Sequence, residues 1–292
     1  MAENQKINQK IAQKIAWITG ASSGIGAATA LRLVKQGWTV AATARSGDKI
    51  EVLVHHLEAF GAGAGRIVNY PGDITDPAAM AAIVEKIENE LGPLDLAILN
   101  AGVLMPDTSE NFTAAHLKAQ YEVNVFGTAN CLEPVLKKFK ARNRGHIAIV
   151  GSFAGYRGLP RSISYGSSKA ALIYIAEALA VEARGTDIKV QIINPGFIKT
   201  PMMDAQNYHK PMLMDVDAAA EDLVRGLNGG FFEISFPWVF SLLAKIVGLL
   251  PDQAYIWAIG KLKEQQFKKE GDHDSGRDDH EDQSGAGTSK AA

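Results

Sequence analysis

The sequence predicts a doubly wound α/β domain, a parallel sheet with helices on both faces, followed by an apolar helical extension. Three observations predict it. Strand-like and helix-like patterns alternate from residue 14 to beyond residue 196. Several strand-like runs are apolar throughout instead of alternating, the pattern of strands buried on both faces. A cluster of glycines and serines, TGASSGIG at 19–26, lies where the first strand gives way to the first helix.

The chain opens on a polar leader, residues 1–13, with a repeated NQKI unit. Ile7, Ile11 and Ile15 are spaced to share a helical face, but a frayed leader is the expectation. No apolar run of secretory-signal length follows its lysines. The strands then read KIAWIT (14–19), WTVAATA (38–44), RIVNYPGD (66–73), LDLAILNAG (94–102), GHIAIVGS (145–152) and KVQIINPG (189–196). Helical patterns fill the gaps. In residues 25–37, Ala27, Ala30, Leu31 and Val34 recur at three-four spacing and Gly37 closes the helix. Residues 76–92 form a second such pattern, and GAGAG at 61–65 reads as a surface turn. The α/β domain is expected over 14–230, the apolar helical extension over 231–268, and a disordered acidic tail over 269–292. That tail holds His273 and His280 among acids but offers no fixed geometry, so no metal site is expected.

The 292 residues are 47% hydrophobic with a net charge of −2, so no global positive field invites nucleic acid. A single cysteine, Cys131, excludes an internal disulfide and points to a reducing, cytoplasmic compartment. Its apolar neighbours make it a buried small hydrophobe rather than a reactive thiol.

A strand-to-helix turn at the carboxyl edge of a parallel sheet aims backbone N–H groups and a helix N-terminus at open space. There Gly20 permits the tight turn, Gly24 the approach of a pyrophosphate, and Gly26 close helix-sheet packing. Ser22 and Ser23 add hydroxyl donors. A dinucleotide site selective for NAD usually ends its second strand on an acid; here Ala44 stands in that place and Arg45 follows. Arginine suits a 2′-phosphate, so NADP(H) is favoured over NAD(H), although Arg45 alone also fits a solvated surface residue. Tyr165 and Lys169 are four residues apart, on one face of a helix. A phenol titrates near 10, too high for proton transfer at neutrality. An ammonium at about 4 Å and an effective dielectric of ~20 attracts the phenolate by about 4 kcal/mol, a lowering of up to ~3 units. Ser152, at the end of its strand, offers a hydroxyl to a substrate oxygen. Alone, a Tyr-x-x-x-Lys pair also fits a surface helix, Asn124 a structural polar residue, and Asp73 a turn or capping acid.

Together these motifs resemble the short-chain dehydrogenase/reductase family. TGASSGIG is similar to its cofactor turn, NAG at 100–102 to its fourth-strand motif and YGSSK at 165–169 to its active-site helix. Asn124 in YEVNVFG, Ser152 in VGS and NPGFIKT at 194–200 keep the family's order, over residues 14–225. Leu99, where many members have a first Asn, is the departure. The resemblance implies a Rossmann-type sheet and a catalytic set of Tyr165 (general acid/base), Lys169 (its pKa and the nicotinamide ribose), Ser152 (substrate orientation) and Asn124 (a relay water). It puts Gly20, Ser22, Ser23, Gly24, Ile25 and Gly26 at the cofactor turn and Asp73 with Ile74 at the adenine. Asn100, Ala101 and Gly102 would line the cofactor floor, and Pro195, Gly196, Ile198 and Thr200 would hold the nicotinamide amide. The implied reaction interconverts an alcohol and a ketone or aldehyde by hydride transfer. A 3-oxoacyl-thioester reductase, a non-catalytic cofactor-binding protein and a membrane-associated scaffold are the alternatives.

Past Thr200 the methionines 202, 203, 212 and 214 with Leu213 suggest an adaptable lid over an apolar carbonyl or alcohol substrate; His209 reads as an exposed loop residue. From Trp238 to Leu250 only Ser241, Lys245 and Gly248 interrupt the apolar residues, on one narrow stripe. A second helix is expected after Pro251, capped by Asp252. Residues 231–263 are expected to cover the pocket or a homo-oligomer interface, to lie on a membrane surface as a peripheral contact, or to anchor the chain across a bilayer.

Overall fold

The computed structural model describes residues 14–59, 65–206 and 210–264. The leader 1–13, residues 61–64 of the glycine turn, His209 and the tail with His273 and His280 lie outside the described residues. The chain divides into two units, residues 1–245 and 246–292.

In the first unit strands and helices alternate: β1 (Ile15–Thr19), α1 (Gly24–Lys35), β2 (Thr39–Thr43), α2 (Gly47–Ala59), β3 (Arg66–Asn69), α3 (Pro77–Glu90) and β4 (Leu96–Leu99). There follow α4 (Ala114–Tyr121), α5 (Thr128–Arg142), β5 (Arg144–Val150), α6 (Ile163–Glu182), β6 (Asp187–Pro195), α7 (Pro201–Asp204), α8 (Val216–Leu227) and β7 (Glu233–Phe236). The seven strands form one parallel sheet in the order β3-β2-β1-β4-β5-β6-β7. The order reverses between β1 and β4, and the crevice at that switch point is where such sheets bind ligands.

Every residue of β1, β2 and β4 is buried, the physical reason those runs lack alternation. Two cores sandwich the sheet. One joins Ile18 and Ala42 to Leu33 and Val34 of α1 and Leu223 and Val224 of α8. The other joins Trp17 and Leu99 to Met80 and Ile87 of α3, Val135 and Phe139 of α5, and Leu172 and Ala176 of α6. Trp17 brings a polar group into that core and satisfies it by donating to Thr43 Oγ1 at 2.8 Å.

The seventh strand corrects the expected boundary at residue 231. Glu233–Phe236 pairs in parallel with β6 and belongs to the sheet. Its signal is a four-residue alternation, with Ile234 and Phe236 buried and Glu233 and Ser235 half-buried, at the sheet's edge.

After β7, α9 (Trp238–Gly248) carries the apolar run. Of its polar stripe, Ser241 is buried and Lys245, itself exposed, reaches back to Glu233 Oε2 on β7. Most of its apolar residues face outward, Trp238 at 67% exposure, Val239 at 38%, Leu242 at 48% and Leu243 at 53%, while Phe240 packs inward. In the second unit α10 spans residues 252–264. The Pro251 carbonyl accepts from Tyr255 N at 2.9 Å, so Pro251 holds the N-cap position and Asp252 the first helical one. Among the described residues no helix is long and apolar enough to cross a membrane.

Candidate active site

The turn between β1 and α1 is built by close approach. Gly20 and Gly24 adopt left-handed φ values of +67° and +55°. A Cβ on Gly26 would stand 2.4 Å from the Gly20 carbonyl oxygen and 2.5 Å from Asn100 Nδ2. That space belongs to the Asn100 amide, which donates to the carbonyls of Thr19 (3.0 Å) and Gly20 (3.2 Å). Thr19 Oγ1 in turn accepts the backbone N–H groups of Asn100 and Ala101 at 3.0 and 3.1 Å. The glycine turn and the 100–102 segment are thus one hydrogen-bonded unit across the switch point. Ser23 is the N-cap of α1 and makes no side-chain capping bond; Ser22 is half-buried beside it, and Ile25 packs on the core.

Around this turn stand the other expected cofactor residues. Arg45 is exposed just beyond the end of β2, after the buried Ala44. Asp73 Oδ1 accepts from the N–H and hydroxyl of Thr75 at 3.0 and 2.9 Å, so it is a turn acid; Asp76 caps α3. Ile74 is buried, with its Cδ1 2.6 Å from where a Cβ on Gly127 would lie. Its side chain is therefore interior packing, and only backbone is left there to meet an adenine. Pro195 ends β6 and Gly196 N donates to the Phe236 carbonyl at 2.8 Å. Ile198 is buried, and Thr200 caps α7 by accepting from Met203 N at 3.3 Å. A Cβ on Gly24 would meet Thr200 Cγ2 at 3.2 Å, which sets this loop directly against the glycine turn.

The expected catalytic group assembles on α6. Tyr165 is half-buried in its first turn. Lys169, one turn on, is 4% exposed; its Nζ donates to the Val150 carbonyl at 2.9 Å and sits 5.8 Å from the centroid of the Tyr165 ring. Burial pushes its ammonium down to about 8. A Cβ on Gly102 would lie 3.5 Å from Lys169 Nζ and 3.1 Å from Asn124 Oδ1, so the cofactor floor touches both. Ser152 ends the loop after β5 and caps a short turn, Phe153–Gly155, by accepting from Ala154 N at 3.2 Å. Gly155 and Gly166 let that turn seat on α6: their Cβ atoms would lie 2.7 Å from the Lys169 carbonyl carbon and 2.9 Å from the Ala154 oxygen.

Asn124 joins two elements. It is fully buried in a π-helical turn, Glu122–Gly127, a distortion common at functional sites. Its Oδ1 accepts from Val103 N at 2.8 Å, and its two amide hydrogens go to the Val103 carbonyl and Ser168 Oγ, both at 3.0 Å. The side chain is a clamp between the strap that follows residues 100–102 and the tyrosine helix, and its Oδ1, with one bond accepted, keeps a second lone pair.

Several residues were missed from sequence. Gln120 Oε1 accepts from Met105 N at 3.0 Å while its amide reaches the Val103 carbonyl. Asp107 grips the start of α6 through Ser164. Phe153 packs edge-on against Phe197 and Phe240, centroids 5.0 and 4.8 Å away, setting an aromatic cluster beside Ser152 and Gly196. Glu233 collects Tyr156, Asn194 and Lys245. Burial pushes its carboxyl upward, but the hydrogen bonds of these three and the Lys245 charge outweigh that and hold it below the ordinary range. Burial and the same carboxylate push the Tyr156 phenol up. Only the apolar character of Phe197 and Phe240 was readable; the polar pairs join residues far apart in the chain.

A short chain dehydrogenase family model matches residues 14–211. An uncharacterized oxidoreductase of Myxococcus xanthus is 33% identical over 248 residues, covering 85% of this chain and 97% of that protein. The 2,3-dihydro-2,3-dihydroxybenzoate dehydrogenase of Bacillus subtilis is 38% identical over 190 residues, covering 64% of this chain and 71% of its own length. Among solved structures, NADP-bound ElxO superposes with a TM-score of 0.68 at 27% identity, over 78% of this chain and 99% of that one.

Proposed function

From the premise that the chain belongs to the short-chain dehydrogenase family and is an NAD(P)-dependent oxidoreductase, we propose that it interconverts an apolar ketone or aldehyde and its alcohol, with NADP(H) and with Tyr165 as the acid/base. The observation that carries the reading is the buried Lys169, one helical turn from Tyr165 and in contact range of the Gly102 position.

The residues fit the cofactor. The left-handed Gly20 and Gly24 free backbone N–H groups at the N-terminus of α1 for a pyrophosphate, and the exposed Arg45 suits a 2′-phosphate. The cofactor supplies the hydride when bound. Everything else is done by the chain. Lys169, desolvated to about 8, still carries its proton at neutrality, and its charge in a dry site favours the Tyr165 phenolate. Ser152 orients the carbonyl oxygen. Tyr165 Oη releases its proton to that oxygen as alkoxide character develops, or takes it back in the oxidative direction. The Phe153, Phe197 and Phe240 rings supply an apolar wall, which supports an apolar substrate over a charged one. Tyr165→Phe tests the assignment: turnover should vanish while NADPH, followed by its fluorescence, still binds. Turnover close to wild type in that variant overturns it.

The exposed apolar face of helix α9 favours a second reading, a peripheral contact with a lipid surface. Lys245 of its polar stripe pairs with Glu233 and Ser241 is buried, leaving Trp238, Leu242 and Leu243 outward. In the second unit Trp257 is 64% exposed with Lys261 Nζ 4.8 Å over its ring. Tryptophan and lysine flanking aliphatic side chains match the headgroup boundary of a bilayer. Full-length protein should float with liposomes, and Trp238→Ser/Leu242→Ser should abolish flotation. A lipid-free dimer that the same pair of substitutions dissolves, with no flotation of the wild type, overturns the lipid reading.

A further inference from the structure

Asp107 stands in the strap between the cofactor floor and α4, and its carboxylate is 1% exposed. Among the described residues its partners all belong to Ser164, and none is a lysine or arginine. Oδ1 and Oδ2 accept from the Ser164 backbone N–H at 3.0 and 3.2 Å, and Oδ2 accepts from the Ser164 hydroxyl. The first turn of a helix normally has its free N–H groups met by the N-cap side chain. In α6 that residue is Ser162, and it makes no side-chain capping bond. The acceptor arrives instead from 57 residues upstream. A buried negative charge at this end of the helix is also favoured by the helix dipole.

The position matters because Tyr165 is the next residue. Ser164 is held by Asp107, Ser168 by Asn124 and Lys169 by the Val150 carbonyl. These three anchors fall one residue before the tyrosine, three residues after it and at the lysine. The strap itself is tied at Val103 by Asn124, and at Met105 by Gln120 and His116, whose Nε2 lies 3.1 Å from the Met105 carbonyl. It runs without slack from Asn100–Gly102 to Asp107.

We propose that Asp107 is a positioning residue that sets Tyr165 against the cofactor floor by replacing the missing N-cap of α6 through Ser164. The inference rests on the assignment of Tyr165 as acid/base and deepens it. The strap makes one rigid link between the segment that would receive the nicotinamide and the helix that carries the proton donor.

The test uses full-length enzyme with NADPH and a reducible ketone substrate. Asp107→Ala should lower kcat by about 100-fold, the order expected for a misplacement near 1 Å, with NADPH affinity unchanged. Asp107→Asn keeps an acceptor for the Ser164 N–H and an amide for its hydroxyl, and should restore kcat to near wild type. Activities are normalised to the folded fraction from circular dichroism. Where Asp107→Ala does not fold, Ser164→Ala reads the same link through the lost hydroxyl bond alone and should lower kcat about 10-fold at constant NADPH affinity. A folded Asp107→Ala or Ser164→Ala enzyme with wild-type kcat overturns the inference, as does a folded Asp107→Asn enzyme as slow as Asp107→Ala. Wild-type turnover in Tyr165→Phe alone would instead overturn the acid/base assignment itself.

Discussion

Replacing Gly26 by alanine sets two opposed effects against each other, and the structure decides which wins. Gly26 lies inside α1 with ordinary helical backbone, so alanine should stabilise the helix by about 0.5–1 kcal/mol through propensity and a less flexible unfolded chain. Against that, the new Cβ would lie 2.4 Å from the Gly20 oxygen and 2.5 Å from Asn100 Nδ2. One neighbour is backbone in a left-handed turn and cannot step aside alone. The other would forfeit its bonds to the Thr19 and Gly20 carbonyls, about 1 kcal/mol each in net terms. Overpacking adds roughly 1–3 kcal/mol, so the net effect should be a loss of about 2–4 kcal/mol. For a domain of this size that lowers Tm by roughly 5–15 °C. Thermal unfolding followed by circular dichroism reads the stability, and NADPH fluorescence reads the turn, which should bind at least about 10-fold more weakly. Asn100→Ala should couple with it, because removing the amide relieves one of the two contacts. A Gly26→Ala protein that melts at or above wild type and binds NADPH normally would refute the reasoning.

Arg45→Ala should weaken NADPH by about 10–100-fold in a fluorescence titration and leave NADH within about threefold, because a charge-assisted contact to the 2′-phosphate is lost. His146 is pushed down to about 4 by burial and by the Lys189 charge; between that value and the ordinary 6.5 the unfolded chain holds a proton the folded one refuses, so stability falls as pH drops through this window. His146→Gln should flatten that acid limb in urea melts. Lys169, pushed down to about 8 from 10.5, makes the fold gain stability as pH rises across that interval, since the unfolded chain binds the extra proton there. Lys169→Met should abolish this rise, melt no lower than wild type at neutral pH and lose turnover. The Cys131 thiol, pushed up by burial, should resist thiol reagents until the protein is unfolded.

Much of the molecule was legible in the chain itself because its causes are local. Strands buried on both faces announce themselves by unbroken apolar runs, and a positive-φ turn by glycines such as Gly20 and Gly24. Four-residue spacing alone places Tyr165 and Lys169 on one helical face. What folding alone decided are contacts between distant positions. Asn124 meets Ser168 across 44 residues, Asp107 meets Ser164 across 57, and Tyr156 meets Glu233 across 77. No periodicity announces such a pair, because each partner taken singly is an ordinary polar residue. Helix α9 shows the division most clearly. Its narrow polar stripe was readable from the spacing of Ser241, Lys245 and Gly248, but a stripe does not say which way it faces. Glu233 on the edge strand decided that: its half-buried carboxylate pairs with the exposed Lys245 while Ser241 is buried on the same side, which leaves Trp238, Leu242 and Leu243 outward.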